Sequence, residues 1–107
     1  MTRHKYNAKP TVLDGFRFAS KAEARRYSEL LLLQRSGEIS ELELQPPFPL
    51  VVNGVKVGTY IADFRYRCKY TDPLIVEDVK GIKTPLYRLK KKHVEAQYGI
   101  TITEVTS

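Results

Sequence analysis

The run LIVEDVKG, residues 74–81, constrains the fold most, because it begins as an apolar strand and ends in charged side chains. A strand directs alternate side chains to opposite faces, so Asp78 and Lys80 lie on the same face as Val76. An apolar face tends to be buried, and a buried charge normally requires a partner or a metal ion. Gly81 ends the strand and permits the close approach of a backbone or a ligand. We therefore expect Asp78 and Lys80 in a partly buried site.

Length, charge and cysteine content narrow the class of protein. The 107 residues suffice for one domain with one modest core. A total of 18 Lys and Arg against 12 Asp and Glu gives a net charge of +6, which favours a polyanionic partner such as nucleic acid. The single cysteine cannot form an internal disulfide, and no apolar run is long enough to span a bilayer. We expect a cytoplasmic protein with a flexible basic arm at residues 1–10 and one domain at 11–107.

Turn and cap residues delimit the first elements. Asp14-Gly15 between two short β-prone runs predicts a tight hairpin with strands near residues 11–13 and 16–18. Ser20 is suited to be the N-cap of a helix. The strong helix formers of residues 22–34 continue that helix until Gly37 stops it.

The middle of the chain has the pattern of extended structure. Residues 39–52 contain three prolines, which predict an edge or irregular strand, and Asn53-Gly54 marks a further hairpin turn. Residues 55–70 alternate as one long strand. The alternation assigns Tyr60, Ala62, Phe64, Tyr66 and Cys68 to one face, and Ile61, Asp63, Arg65 and Arg67 to the other.

The last third of the chain predicts a strand, a helix and a strand. Residues 74–80 form the apolar strand described above. Thr84 is a good N-cap, and a proline at the next position suits the first turn of a helix that runs to about Tyr98 and is closed by Gly99. The final ITITEV alternates at a period of two and follows a helix, which favours a strand parallel to an earlier one.

Asp63 and Asp78 are the main candidates for chemistry. If their strands are antiparallel neighbours, the two carboxylates project from one face at nearby positions, with Lys80 one repeat further on. Carboxylates this close repel each other unless a cation lies between them, and hard oxygen ligands suit Mg²⁺. Such an ion can polarise a phosphodiester, while a lysine orients water or neutralises developing charge. The alternative is a cross-strand ion pair that contributes less than about 1 kcal/mol.

Two further acids are ambiguous. Glu77 faces the other side of its strand and is a second choice for the site. Glu23 stands three residues after Ser20, as in a capping box, where the glutamate bonds back to the N-cap amide. It also lies at the head of the apolar side of its helix, from which it can lean toward Asp63 and Asp78 as an additional metal ligand. The two roles compete for one carboxylate.

The second predicted helix carries the candidate DNA contacts. Arg88, Lys91 and Lys92 form a basic outward ridge suited to phosphates. A merely solvated face is the alternative. The ridge is opposite an inner arc formed by Leu86, Leu89 and Ala96. Further candidate phosphate contacts are Lys83 and, in the basic arm, Arg3 and Lys5.

Several features follow one another along the chain: a helix with Glu23, the strand end YIAD, fourteen intervening residues, Asp78-Val79-Lys80, and a closing helix and strand. Features in this order resemble the PD-(D/E)xK nuclease superfamily. The chain also resembles a family of small phage and prophage proteins placed among these nucleases, over roughly residues 5–105. One departure is Ala62, which stands where the superfamily name has proline. The segments that carry the second resemblance are FASKAEARRYSELLLLQRSGEISELELQPPF, YIADFRYR, VEDVKGIKT and YRLKKKHVEAQYGI.

The resemblance implies a restriction-endonuclease-like αβββαβ core, of the α/β (α+β) class, with a mixed sheet flanked by two helices. It implies hydrolysis of DNA phosphodiesters with Mg²⁺, or Mn²⁺ as its substitute. Asp63, Asp78 and Glu23 would be the metal ligands and Lys80 the catalytic lysine. Small members of the superfamily in phages and archaea include Holliday junction resolvases, so the implied substrate is branched DNA in the bacterial host cytoplasm. Symmetric cutting of a junction would require a homodimer.

Two other functions stay open at this level. The chain could be a non-catalytic DNA-binding or host-interaction module that retains a nuclease fold. It could also be a cleaving subunit that depends on another chain for the choice of target. Cleavage of DNA by the wild type, and its loss on substitution of Asp63 or Asp78, separates the nuclease from the binding module.

Overall fold

Two short strands open the described part of the chain, which in this computed structural model comprises residues 10–70 and 74–106. β1 (Thr11–Leu13) and β2 (Phe16–Phe18) pair antiparallel. Asp14 and Gly15 between them have φ of 52° and 80°. A type I′ turn requires positive φ at both central positions, which Asp-Gly tolerates well. The predicted hairpin is confirmed, whereas the predicted basic arm lies outside the described residues except for position 10.

Helix α1 (Lys21–Arg35) follows the hairpin and contains the predicted helical span. The Ser20 Oγ accepts a hydrogen bond from the Glu23 N–H at 3.2 Å, so the predicted N-cap is confirmed. Gly37 has φ of 84° just beyond the helix, in the region that only glycine enters freely. The helix buries Ala24, Tyr27 and Leu30 on one side.

Seven elements complete the described chain. They are β3 (Ile39–Leu44), β4 (Pro47–Val52), β5 (Val55–Ile61), β6 (Phe64–Cys68), β7 (Ile75–Lys80), α2 (Pro85–Tyr98) and β8 (Ile102–Thr106). Four of the strands form one sheet in the order β3-β6-β7-β8. The first two pairings are antiparallel, and β8 is parallel to β7, as the sequence predicts for a strand that follows a helix. Among the strands of the described residues, β4 and β5 pair only with each other.

The prediction of one long strand over residues 55–70 is wrong. β5 ends at Ile61 and β6 begins at Phe64, because the two segments pair with different strands. At the break, the Ala62 N–H donates to the Pro46 carbonyl oxygen at 3.1 Å, and the Gln45 N–H donates to the Asp63 carbonyl oxygen at 2.9 Å. The chain changes its pairing strand at the point where the prolines interrupt the segment that faces it, near residue 46.

The break also moves the chain from one side of the sheet to the other. Tyr60 and Ala62 pack in the cluster that contains α2, whereas Phe64 and Tyr66 pack in the cluster that contains α1. Four of the five residues that the alternation groups together are buried, and Cys68 is half-buried. The prediction that these buried residues share one face is wrong.

The central strand β7 is covered on both faces. Ile75 and Val79 pack with the α1 residues, and Val76 packs with the α2 residues Tyr87 and Val94. Because neighbouring side chains of a strand point to opposite faces, α1 and α2 lie on opposite sides of the sheet. The charged end of β7 is therefore enclosed between two helical layers.

Helix α2 has the predicted boundaries but a different orientation. The Thr84 Oγ1 accepts the Tyr87 N–H at 3.1 Å, and Gly99 ends the helix with φ of 66°. The predicted inner arc is wrong: Leu86 is 62% exposed and Leu89 65% exposed. Apolar residues occupy two sides of this helix, and the aromatic Tyr87, with Val94 two turns later, takes the buried side.

The observed class is mixed α+β, with two helices, a mixed four-stranded sheet and two small hairpins. In chain order, the strands of the large sheet and the two helices follow one another as α1-β3-β6-β7-α2-β8. The β4-β5 hairpin is inserted in the sequence between β3 and β6. In the part of the chain that the structure describes, neither helix is long and apolar enough to cross a membrane.

Candidate acidic site at the end of the central strands

The partner change before β6 positions Asp63 beside Asp78. The register pairs Phe64 with Glu77, so the residue before Phe64 lies next to the residue after Glu77. The Asp63 N–H donates to the Glu77 carbonyl oxygen at 3.1 Å. The Asp63 Oδ2 accepts the Val79 N–H at 2.6 Å, which fixes the carboxylate against the end of β7. The structure thus brings together two acids that have fourteen residues between them in the sequence.

The Asp78 side chain is 1% exposed, and neither of its carboxylate oxygens has a hydrogen-bond partner among the described residues. Burial raises the pKa of this carboxyl to about 6, although Lys80 and the nearby Asp63 backbone N–H oppose the rise. That N–H is itself directed at the Glu77 carbonyl oxygen. A buried carboxylate without a partner is costly, so this position favours either a proton or a cation.

Glu23 enters the same site from the first turn of α1. Its carboxyl group lies within interaction distance of the Asp63 side chain and of the Ala19 backbone. Burial and then the charge of Asp63 raise the pKa of Glu23 to about 7. Burial also raises the pKa of Asp63. Two carboxyl groups this close repel each other when both are charged, and the raised pKa of Glu23 favours a proton on this group near neutral pH.

Glu23 takes part through its backbone and its side chain separately. The Glu23 backbone N–H is capped by Ser20, while the Glu23 side chain leans toward Asp63. The reciprocal bond of a capping box would instead hold the carboxylate at the Ser20 amide.

Lys80 supplies the positive charge of the site. Its charge lowers the pKa of Glu23, Asp63 and Asp78, which means that it lies within electrostatic reach of all three. The Lys80 Nζ lies 4.4 Å from the centroid of the Tyr87 ring. The Tyr87 hydroxyl donates to Glu104 Oε2 at 2.7 Å, so the ring that supports the lysine is held in place.

Glu77 lies on the opposite face of β7 and is fully engaged there. It is 1% exposed and accepts two bonds from Arg26: Nε to Oε1 at 2.9 Å and Nη2 to Oε2 at 2.7 Å. The Tyr66 hydroxyl donates a third bond to Glu77 Oε2. This arrangement ties β7 to α1 directly behind the acidic site.

Sequence reasoning missed Arg26 and Tyr66 as the partners of Glu77. One signal was available: Arg26 is three residues after Glu23, on the same side of α1, and a buried acid requires a cation.

The donor set fits some metal ions and not others. Among residues 10–70 and 74–106, no three His, Cys, Asp or Glu side chains are grouped to hold a metal ion. A structural zinc site, which requires a complete protein cage, does not fit. Mg²⁺ is usually bound by one or two carboxylates and completes its shell with water and substrate phosphates. The pair of Asp63 and Asp78 fits that requirement, because neither Asp78 oxygen has a hydrogen bond in the described part of the chain.

The predicted basic residues of α2 share one surface. Together with two acids they line a hollow of about 390 Å³. Glu104 pairs with Lys83 at 2.9 Å and with Lys91 at 3.6 Å, so two of the four cations are partly neutralised. Arg3 and Lys5, the other predicted contacts, lie outside the described residues. The residues that line the hollow are Lys83, Arg88, Lys91, Lys92, Glu95 and Glu104.

Fold and site together define a mixed α+β domain with a cluster of buried and half-buried carboxyl groups and one lysine at the end of its central strands. The chain belongs to the family described as "Protein of unknown function (DUF1064)", whose model matches residues 3–105. Searches of curated proteins and of solved structures found no match. The function has to be argued from the site itself.

Proposed function

We propose that this protein is a Mg²⁺-dependent endodeoxyribonuclease of the PD-(D/E)xK type. The observation that carries the proposal is Asp78, a buried carboxylate next to Asp63 whose two oxygens have no hydrogen-bond partner within residues 10–70 and 74–106. Neither a cross-strand ion pair nor a packing role accounts for a charge left without a hydrogen bond. A divalent cation between the two aspartates would account for it.

Each group has a role that suits phosphodiester hydrolysis. Asp63 and Asp78 would hold the ion, which when bound polarises the phosphodiester and makes a water molecule more acidic. The Lys80 ammonium would donate hydrogen bonds to phosphate oxygens and stabilise the charge that develops on them. Glu23, with its pKa raised to about 7, can exchange a proton near neutral pH and would orient the attacking water.

The rest of the molecule supports a DNA substrate. The net charge of +6 and the four cations around the hollow on α2 suit a phosphate backbone. The order α1-β3-β6-β7-α2-β8 is compatible with an αβββαβ core that carries the β4-β5 hairpin as an insertion. We further propose branched DNA, such as a Holliday junction, as the substrate, with two copies of the chain for symmetric cutting.

The test uses a synthetic four-way junction and a linear duplex of matched sequence, each with Mg²⁺ and with EDTA. We expect the wild type to cut only with Mg²⁺ and to cut the junction faster. Asp78→Asn and Lys80→Ala should each lower the cleavage rate by about 100-fold or more. Glu41→Gln, at an acid that is 67% exposed, and Lys56→Ala, at an exposed lysine, are the matched controls and should cut normally.

The outcomes separate the open functions. Binding of DNA without cleavage in either Mg²⁺ or Mn²⁺ would contradict the proposal and favour the non-catalytic module. Equal rates for the wild type and Asp78→Asn would exclude the acidic site as the place of cleavage. The mass of the complex with the junction, measured in solution, tests for two copies.

A further inference from the structure

A groove lies between β5 and α2 and has not been assigned a role. Its volume is about 320 Å³. Ile61 forms one wall and Leu86 the other, and these side chains are 60% and 62% exposed. Tyr60 and Tyr87 line it deeper in the molecule, where both are largely buried. Leu89, 65% exposed, extends the Leu86 wall because it lies one turn further along the same side of α2.

This apolar surface requires an explanation. Single exposed apolar residues are normal, but large aliphatic side chains that share one groove usually mark a binding surface. The arrangement follows from the orientation of α2, which buries Tyr87 and Val94 and leaves both leucines on the outside. The fold therefore exposes aliphatic groups that its own core does not use.

The charge of the groove defines the kind of ligand. Lys80 and Lys90 line it, and none of its lining residues is acidic. The Lys90 Nζ donates to the Thr59 carbonyl oxygen at 3.2 Å, which holds that ammonium group at the edge of β5. Tyr60 adds a buried hydroxyl that has no hydrogen-bond partner among the described residues. A matching ligand carries negative charge, an apolar face and hydrogen-bonding atoms.

A nucleotide has all three properties, but only an unpaired nucleotide presents the face of its base. In an intact duplex the base faces are stacked inside, and aliphatic side chains reach them only where a base step is opened. The volume is at the lower end of the range for small-ligand pockets, which suits one base with its sugar.

Lys80 connects the groove to the acidic site. It lines the groove and also lies within electrostatic reach of Asp63 and Asp78. An occupant of the groove would therefore lie next to a phosphate that Lys80 contacts at the acidic site.

We propose that the groove between β5 and α2 receives an unpaired nucleotide of DNA, with the base between Ile61 and Leu86 and its phosphate near Lys80 and Lys90. This inference rests on the proposed DNA substrate and makes it more specific. It means that the enzyme selects branched or bulged DNA by contact with an exposed base beside the cleavage point.

The test measures binding, so it does not depend on cleavage. The Asp78→Asn protein, without divalent ions, is titrated with a duplex that contains a three-nucleotide bulge and with the same duplex without the bulge. We expect at least about a tenfold preference for the bulged duplex. Adding Leu86→Ser, or Ile61→Ser, should reduce that preference about fivefold or more, because an apolar contact is lost.

Leu32→Ser is the matched control. Leu32 is a helical leucine that is 65% exposed, on α1 instead of α2, and its replacement should leave the preference unchanged. A 2-aminopurine base in the bulge adds a direct readout: its fluorescence should fall on binding, and Leu86→Ser should weaken that fall.

Three results would overturn the inference. The first is equal affinity for the bulged and the plain duplex. The second is an equal loss of affinity for both duplexes in Leu86→Ser. The third is self-association of the protein that Leu86→Ser abolishes, because that would assign the groove to a second copy of the chain. A bulge preference that depends on Leu86 in a protein that never cuts DNA would uphold the groove and refute the nuclease. Cleavage of DNA without a preference for the bulged duplex would uphold the nuclease and refute the groove.

Discussion

Replacement of Asp78 by asparagine should stabilise the protein at neutral pH when no divalent ion is present. In the folded chain this carboxyl is buried without a hydrogen-bond partner among the described residues, and its pKa is raised from 3.8 to about 6. A group held for metal binding carries this penalty whenever the metal is removed. Asparagine has nearly the same shape and cannot ionise, so Asp78→Asn removes the penalty.

The magnitude and its pH dependence follow from the same pKa. At about 1.4 kcal/mol per pKa unit, a rise from 3.8 to about 6 corresponds to about 3 kcal/mol. The amide is still a buried polar group, so we expect a net gain of about 2 kcal/mol. The folded state holds this proton more tightly than the unfolded state, so wild-type stability falls as the pH rises from about 4 to 6. The gain in stability of Asp78→Asn over the wild type is therefore absent at pH 4 and complete above pH 6.

Thermal and urea unfolding in EDTA, at pH 4 and pH 8, measure the effect. For a domain of this size, about 2 kcal/mol corresponds to an increase in Tm of about 10 °C. Glu41→Gln removes an exposed carboxylate that pairs only with the exposed Arg67 in the described structure, and should change stability by less than about 0.5 kcal/mol. A wild type at pH 8 that is as stable as Asp78→Asn, or a gain that is the same at both pH values, would refute the reasoning.

Three more predictions concern the surroundings of the site. Arg26→Ala leaves the buried Glu77 without its main partner and should lower the free energy of unfolding, measured in urea, by about 3–5 kcal/mol. Adding Glu77→Gln should recover part of that loss, and a double variant that recovers nothing would contradict the pairing. Ser20→Ala removes the N-cap of α1 and should cost about 1 kcal/mol by the same method, whereas Ser20→Gly should cost less. Arg88→Ala should reduce the slope of log affinity for DNA against log salt by about 1, and an unchanged slope would exclude a phosphate contact.

Local structure was predictable because its causes are local. The Asp14-Gly15 turn, the caps Ser20 and Thr84 and the terminal Gly99 act through bonds to residues within four positions. Each was assigned from the sequence and found in the structure. The parallel pairing of β8 with β7 followed from the helix between them.

The choice of strand partner was not predictable in the same way. Residues 55–70 keep a period of two whether they pair with one strand or with two in succession, so periodicity carries no signal for the break at Ala62. The break depends on Pro46 and its neighbours in the opposite segment, which is a contact between distant residues. The orientation of α2 was missed for a related reason, because its apolar residues allow two buried sides and only contacts with the sheet choose between them.

The candidate site was predictable in part. The sequence predicted that Asp63 and Asp78 lie at nearby positions if their strands are antiparallel neighbours, and the antiparallel pairing of β6 with β7 meets that condition. It could not show that Asp78 has no hydrogen-bond partner among the described residues, or that Glu23 divides its backbone and side chain between two roles. Those properties depend on how closely distant elements enclose each carboxyl group.

The central claim is that Asp63 and Asp78 together bind a divalent cation. Titration with Mn²⁺, followed by electron paramagnetic resonance, tests it without DNA. We expect one Mn²⁺ site per chain in the wild type and in Glu41→Gln, competed by Mg²⁺, and at least tenfold weaker Mn²⁺ binding in Asp63→Asn and in Asp78→Asn. Equal Mn²⁺ affinity in the wild type and Asp78→Asn would contradict the claim.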